Sequence, residues 1–393
     1  MDTLKRKLVF NESLDKSTKK CLNQSISSIE HLSNEIFYEI FNYFDGSELV
    51  KTFSNLNFRF EQFLHSLSLL IKTHFYLFYY EEMMNTDNEL EMFSTKLWSN
   101  LKILSIHCSQ NIIFLDAHRW EKLILHCYPQ LEKFYFTFYD RINNNNQYEI
   151  YSRQINQFSS LFWIERKCQF FIKIDNINIK YMIYPYKKTW YDDFQDKNIV
   201  YSTATTLMLT NSLTFSYDAI LFEKINRILT ITQIYHLIII DKHSSIHILI
   251  DLINLLPDLI TFKLHSLLSD DSTWYTAKQV NTICSINVRS KITKVYIEEL
   301  NNIDDFHYIT ILCPRIKYFK VKHLNNMNIQ LLLRTILKNL NKICICHIRS
   351  LYFHVPAAND QMIENLQQMI KYEQPSLQFT IKHIVDDICI EWK

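Results

Sequence analysis

The residues best suited to chemistry are histidines and cysteines at metal-ligand spacings. His243 and His247 are four residues apart, which puts two imidazoles on one face of a helix, where they can chelate zinc. A third ligand and a general base are not evident nearby, and this favours a solvated polar face. The run Cys344-Ile-Cys346-His347 looks like a metal knuckle, but alternation along a strand separates the histidine from both cysteines. We therefore predict buried structural cysteines and no metal site.

Paired carboxylates are a second possible source of chemistry, because two such groups can act as general acid and base. Four pairs lie in polar surroundings and are interpreted as solvated turns or helix caps: Glu81-Glu82, Asp192-Asp193, Asp270-Asp271 and Asp304-Asp305. The single glycine, Gly46, excludes phosphate loops, dinucleotide-binding turns and nucleophile elbows, which need several glycines. We therefore expect no cofactor, and an enzyme with a carboxylate or zinc site stays open as an alternative.

Composition narrows the environment and the partners. The chain has 42 basic and 41 acidic residues, a formal charge of +1, which argues against a nucleic-acid or anionic-membrane surface. Charged residues interrupt the apolar stretches well before the ~20 residues of a transmembrane helix. Nine scattered cysteines are interpreted as reduced thiols of an intracellular protein. We predict a cytoplasmic protein, with the nucleus left open, that binds neither nucleic acid nor membrane.

An apolar triplet at relative positions 1, 4 and 6 recurs from residue 95 onward. Its units are Leu101/Leu104/Ile106, Leu131/Phe134/Phe136, Ala204/Leu207/Leu209, Ile234/Leu237/Ile239, Leu259/Phe262/Leu264, Ile292/Val295/Ile297 and Ile316/Phe319/Val321. The last unit fits two registers, Ile343/Cys346/Ile348 and Ile348/Leu351/Phe353. In the second half the period is about 24 to 33 residues, and apolar helical faces lie between the units, two of them stopped by Pro257 and Pro314.

A helix followed by a short strand, repeated at this period, is similar to the leucine-rich repeat. The resemblance implies an α/β fold, a right-handed solenoid of alternating helices and short parallel strands over residues 95–393. An ordinary α/β domain is the alternative. Alternating apolar residues predict a β-hairpin insertion near residues 160–186, and a second hairpin, 377–383 with 388–392, is expected to cap the last repeat. Residues 1–28 are predicted to be disordered and residues 67–94 to form a helical connector.

Residues 29–66 carry the most specific pattern. Apolar residues recur at helical spacing, Asp45-Gly46-Ser47 provides a turn, and a second apolar stripe follows. The first stripe is Leu32, Ile36, Ile40, Phe41, Tyr43 and Phe44, and the second is Leu49, Phe53 and Leu56. The pattern resembles an F-box, the module that ties a substrate receptor to the Skp-type adaptor of cullin–RING ubiquitin ligases. Ser33 stands where that family usually has proline, and Phe58 or Phe60 where it often has tryptophan.

The resemblance implies a non-catalytic subunit that binds the adaptor through residues 29–64 and an unidentified protein substrate through the repeats. The implied adaptor-binding residues are Leu32, Ser33, Glu35, Ile36, Ile40, Phe41, Phe44, Leu49 and Phe53. Six acidic and two basic residues give the module a net charge of −4, which disfavours a helix-turn-helix DNA reader. Two alternatives stay open: a helical cap on the first repeat, and a repeat scaffold without a ubiquitin link.

Overall fold

In the computed structural model the chain divides into two units, Met1–Leu64 and His65–Lys393. The structure describes residues 32–33, 35–36, 40, 73–77, 102–109, 112–141, 158, 160–175, 178–187, 189–190, 192, 205–210, 218–229, 232–242, 244–268, 289–325, 327–339, 347–356 and 358–392. For residues 73–77, 112–113, 141, 218–220 and 339 it describes the backbone alone. The predicted disorder of residues 1–28 lies outside these ranges.

The described part of the second unit contains strands and helices in alternation. The strands are β1 Thr73–Leu77, β2 Ile103–Ser109, β3 Lys133–Arg141, β4 Cys168–Ile174, β5 Asn178–Pro185, β6 Thr206–Leu209, β7 His236–Ile239, β8 Ser244–Ser245, β9 Thr261–Leu264, β10 Leu267–Leu268, β11 Lys294–Leu300, β12 Tyr318–Leu324, β13 Ser350–His354, β14 Phe379–Ile384 and β15 Asp387–Trp392. The helices are α1 Ala117–Cys127, α2 Leu161–Glu165, α3 Asp218–Leu229, α4 Ile246–Leu255, α5 Ile303–Leu312, α6 Ile329–Asn339 and α7 Asp360–Glu373, with a 3-10 helix at Ile112–Leu115.

Thirteen of the described strands form one open sheet in the order β1-β2-β3-β5-β4-β6-β7-β9-β11-β12-β13-β15-β14. The pairs from β4 to β13 through β6, β7, β9, β11 and β12 are all parallel, as are β1 with β2 and β2 with β3. β8 and β10 form a separate two-stranded parallel pair. Along the parallel part of this sheet the strands follow one another in chain order, apart from the short β8 and β10, and the predicted α/β class with a mostly parallel sheet is confirmed.

The triplet positions explain why these strands pack. Register places position 4 of consecutive units side by side in one row, and every side chain in that row is fully buried: Leu237, Phe262, Val295, Phe319 and Leu351. Position 6 forms a second buried row beside it. Burying each such side chain stabilises the fold by about 1.5–3 kcal/mol. The helices bury their apolar faces in the same core, for example Leu249 of α4 and Phe306 of α5.

Polar side chains fix the turn between strand and helix. Asn302 caps α5 by accepting from Asp305 N at 2.8 Å, while the Asp305 carboxylate accepts from the backbone N–H of Asn301 and Asn302. After the next strand, β12, Asn325 Nδ2 donates to Asn301 Oδ1 at 3.1 Å. The asparagines that follow β11 and β12 therefore bond to each other across neighbouring strands, and this ties the loops of two units together.

Both predicted hairpins are confirmed. β4 and β5 pair antiparallel in the predicted range, but they lie within the sheet, because β5 also pairs with β3 and β4 with β6. β14 and β15 pair antiparallel at the C-terminal side of the sheet, and β15 covers the edge of β13. The β14–β15 turn holds Val385 at φ 57°, a left-handed conformation that is costly for a β-branched residue.

Two other sequence predictions need correction. The helical connector over residues 67–94 is wrong for Thr73–Leu77, which forms β1 and pairs in parallel with β2. The rest of that connector lies outside the described residues. For the last unit, the register Ile343/Cys346/Ile348 is wrong, because the strand is Ser350–His354, with Phe319 opposite Leu351 and Val321 opposite Phe353. The alternative register, Ile348/Leu351/Phe353, is confirmed.

Candidate functional site

A row of lysines and tyrosines crosses the sheet on the face opposite the core. Its members occupy one register level on six neighbouring strands, and the first four stand between positions 4 and 6 of their triplets. Alternation along a strand turns them away from the buried rows. We call this set the Lys–Tyr row: Lys263, Tyr296, Lys320, Tyr352, Cys389 and Lys382.

Tyr296 is the centre of the row. The Lys263 and Lys320 ammonium groups lie 4.8 and 5.9 Å from the centroid of its ring, and the Trp190 ring packs 5.5 Å from it. Burial, with the charges of Glu298 and Asp387, raises the pKa of Tyr296 to about 12. The ring is therefore a neutral hydrogen-bonding and cation-binding group at physiological pH, with each cation contact worth about 0.5–1 kcal/mol.

Carboxylates flank the row and neutralise its lysines. Lys263 Nζ lies 2.7 Å from Glu298 Oε1, and Lys320 Nζ lies 3.3 Å from Asp387 Oδ2. Lys382 Nζ lies 2.8 Å from Glu391 Oε2. The three lysines of the row each have a carboxylate partner, so the row itself offers balanced charge and not a positive patch of the kind that holds a phosphate backbone.

The lowered pKa values of Glu298 and Glu391 keep their pairs with lysine ionised. Burial alone would raise the pKa of Glu298, but the hydrogen bond and charge of Lys263, with His265, bring it below its ordinary value. The hydrogen bond from Lys382 is the main reason why the pKa of Glu391 is lowered. Both acids are partly buried, and their pairing with lysines holds the polar face in one arrangement.

The cysteine and the two tyrosines of the Lys–Tyr row are not activated as nucleophiles, because the pKa of each is raised. Burial raises the pKa of the Cys389 thiol to about 11, so the thiol is protonated at neutral pH. The Tyr352 hydroxyl donates to Glu391 Oε1 at 3.2 Å, and burial together with Cys389 raises its pKa above the ordinary value. The face can offer aromatic surface, paired charges and hydrogen bonds. That chemistry suits binding.

A second row of polar side chains lies on the same face, two residues earlier along each strand, and is buried. Thr206, His236, Thr261, Lys294 and Ser350 are each no more than 5 % exposed. His236 Nδ1 lies 2.7 Å from Thr261 Oγ1, and Lys294 Nζ lies 5.6 Å from the ring of Tyr318. Burial lowers the pKa of His236 to about 3. The imidazole is therefore neutral under physiological conditions.

The structure corrects part of the predictions for the metal and carboxylate candidates. His247 lies in α4 while Ser244–Ser245 form β8, so the prediction of one helix across His243 to His247 is wrong. Asp192 is buried and accepts from the Thr189 hydroxyl, which corrects its interpretation as solvated, whereas Asp305 is a helix cap as expected. Within the described ranges no three His, Cys, Asp or Glu side chains gather in a way that could hold a metal ion. His243, Cys344 and Cys346 lie outside those ranges.

The F-box-like segment is described at five of its predicted adaptor-binding residues. Glu35, Ile36 and Ile40 are helical, and Ser33 comes just before the helix. The Ile36 side chain is 45 % exposed, Ile40 and Leu32 are half-buried, and Ser33 and Glu35 are exposed. A hydrogen bond from its own backbone N–H and one from the Ser33 hydroxyl lower the pKa of Glu35. Ser33 therefore makes a helix-start contact that proline cannot make.

The other predicted adaptor-binding residues, Phe41, Phe44, Leu49 and Phe53, lie outside the described residues. In the part of the chain that the structure describes, no helix is both long and apolar enough to cross a bilayer. The sequence shows no significant match to a protein-family model or to a curated protein.

The sequence interpretation missed the Lys–Tyr row. A usable pattern was present, because the fifth position of the last four triplets, in the confirmed register, is Lys263, Tyr296, Lys320 and Tyr352 in turn. The pattern was missed because its members are far apart in the sequence. Its members meet only when the strands stack in register, and the triplets were identified from their apolar positions alone.

Proposed function

We propose that this chain is an F-box substrate-recognition subunit of a Skp–cullin–F-box ubiquitin ligase. In this proposal residues 29–64 bind the Skp-type adaptor, and residues 95–393 form a right-handed, leucine-rich-repeat-like solenoid that presents a protein substrate for ubiquitylation. The observation that carries the proposal is Ile36: an apolar side chain in the register of the motif, on a helix, and 45 % exposed.

The arrangement around Ile36 supports docking. An exposed isoleucine on a helix gains free energy when a partner groove covers it, since its apolar surface then leaves water. Glu35 and Ser33 place a hydrogen-bonded polar pair next to it at the helix start. Truncating such an anchor, as in Ile36→Ala, is expected to reduce adaptor affinity by about 1–3 kcal/mol.

The repeat side is supported by the strand order and by the chemistry of the polar face. Consecutive parallel strands that are neighbours in the sheet are typical of solenoids, and right-handed crossovers are the rule for such connections. The Lys–Tyr row offers tyrosine rings and balanced charges on a partly exposed surface. Tyrosine is enriched in the anchors of protein interfaces, whereas balanced charge does not favour a polyanion.

A pull-down with purified Skp-type adaptor tests the adaptor half. Ile36→Asp should abolish recovery of the adaptor, because a carboxylate cannot be desolvated in an apolar groove. The matched control is Ile384→Asp, the same change at another exposed isoleucine, 58 % exposed, in the second unit. It should recover as much adaptor as the wild-type chain. Equal recovery by both variants would refute the proposal.

A repeat scaffold with no ubiquitin link is the second candidate. The observation that favours it is that the sheet, with its C-terminal hairpin, lies within His65–Lys393, so binding through its face needs no adaptor. Deleting residues 1–66 separates the candidates by the thermal unfolding of what remains. In the scaffold candidate the N-terminal helices only cap the array, so their loss should make the repeats melt or aggregate, whereas loss of a docking module should leave the repeats folded.

A further inference from the structure

A cleft of about 440 Å³ lies at the carboxyl ends of β12 and β13. It is lined by His323, Asn325 and Met327 from the end of β12 and the loop after it, and by His354 and Met362 from the next unit. Four residues connect Leu324 to the start of α6 at Ile329, and five connect His354 to α7, whereas only two separate β11 from α5. The longer loops leave room for the cleft. Loops at the carboxyl ends of parallel strands are where open α/β sheets bind ligands.

The lining defines what can bind. Amide and imidazole groups stand beside thioether and aliphatic side chains, and none of the described lining residues is Asp, Glu, Lys or Arg. An ionised ligand would lose its hydration without gaining a partner of opposite charge. An uncharged group with an apolar body and hydrogen-bonding amides matches both halves of the lining. At about 440 Å³ the cleft is near the small end of ligand pockets, the size of one large side chain with its flanking peptide groups.

The cleft is continuous with the Lys–Tyr row. His354 Nδ1 lies 2.9 Å from Asp387 Oδ1, and the other carboxylate oxygen of Asp387 lies 3.3 Å from Lys320 Nζ. The imidazoles of His323 and His354 meet edge to face with their centroids 6.0 Å apart. A chain lying across the row at β12 and β13 therefore reaches the cleft through His354.

We propose that this cleft is the specificity pocket for an uncharged aromatic side chain of the protein ligand, with its flanking peptide groups bonded by the asparagine and histidine side chains. Met327 and Met362 supply the thioethers that contact the ring. The inference rests on the proposed function, since it assigns part of the substrate to a place on the repeat face.

Methyl NMR of the full chain with ¹³C-labelled methionines tests the pocket directly. N-acetyl-L-tryptophanamide is the uncharged aromatic probe, and phosphotyrosine is the charged comparator. The probe should shift the methyl signals of Met327 and Met362 with saturation in the millimolar range, while Met369, in the core side of α7, stays in place. Phosphotyrosine should shift neither. No saturable shift at Met327 and Met362, or a larger effect of phosphotyrosine, would overturn the proposal.

A matched pair of variants separates binding from folding. Met362 is the third residue of α7, and its backbone N–H donates to Asn359 Oδ1. Glutamate is favoured at this helix position, so Met362→Glu should keep the fold while it places a charge in the wall. We expect about ten-fold weaker probe binding for Met362→Glu and near-wild-type binding for Met362→Leu, both read at Met327. Equal affinity in Met362→Glu would refute the assignment.

The adaptor pull-down distinguishes this failure from that of the proposed function. Met362→Glu lies in the second unit and should recover the adaptor like the wild-type chain. Probe binding without adaptor recovery by the wild-type chain would refute the ubiquitin-ligase role and keep the pocket. Adaptor recovery without probe binding would refute the pocket and keep the ubiquitin-ligase role.

Discussion

The buried histidine of the second polar row should make the protein sensitive to acid. The His236 side chain is fully buried against Thr261, and burial lowers its pKa to about 3, compared with about 6.5 for an exposed imidazole. Below pH ~6.5 the unfolded chain binds a proton at this residue, but the folded chain does not until the pH approaches 3. Since the unfolded state binds more protons in this window, stability must fall as the pH falls.

The size of the effect follows from the two pKa values. Each pH unit inside the window costs about 1.4 kcal/mol, so lowering the pH from neutrality to about 5 should remove about 2 kcal/mol of unfolding free energy through His236 alone. Against a total of about 5–15 kcal/mol for an ordinary domain, this loss is large enough to measure by urea denaturation.

The comparison variant is His236→Asn, because an asparagine amide occupies the place of Nδ1 beside Thr261 and does not titrate. The unfolding free energy is measured by urea denaturation at neutral pH and near pH 5. Its drop should be about 2 kcal/mol larger for the wild-type chain than for His236→Asn. Ile239→Val, on the same strand, controls for destabilisation: it should lower stability at both pH values and keep the wild-type drop. The same drop in wild type and His236→Asn would refute the reasoning.

Two backbone features give further predictions. Val385→Asn should raise the unfolding free energy measured in urea by about 1 kcal/mol, because asparagine tolerates the left-handed conformation that valine holds at φ 57°; a loss of stability would contradict this. Asn302→Ala should cost about 1–2 kcal/mol in the same assay, because the Asp305 N–H loses its acceptor at the start of α5, whereas Asn302→Asp should keep the cap and stay near wild type.

The apolar positions of the parallel strands could be predicted from the sequence because their cause is local. A strand four to seven residues long with one buried face needs apolar residues two positions apart. Phe262 and Leu264 form one such buried pair, and Val295 and Ile297 form another. The register of the last unit could not be settled in the same way. Ile348 belongs to both candidate triplets, and the choice depends on which residues lie opposite Phe319 and Val321.

Other features depended on contacts distant in sequence. The sequence around Thr73–Leu77 predicts a helical connector. The segment forms a strand instead, because β2 provides an edge with which it can pair. The β4–β5 hairpin was predicted as an insertion, yet it fills the place between β3 and β6 and so continues the sheet. Tertiary pairing overrides local preference in both cases.

The C-terminal hairpin shows how such an array can end. A stack of parallel strands leaves an open edge and a half-covered core at its last unit, and both must be closed. β15 closes the edge of β13 and brings Ile388 and Ile390 into the core, where both are fully buried. β14 then becomes the outer strand, and its side chains are mostly exposed, with Lys382 paired to Glu391. β14 carries Lys382 within the outer strand, and a charged side chain on an edge strand discourages further pairing. The hairpin therefore replaces the open parallel edge of β13 with an antiparallel edge that carries a paired lysine.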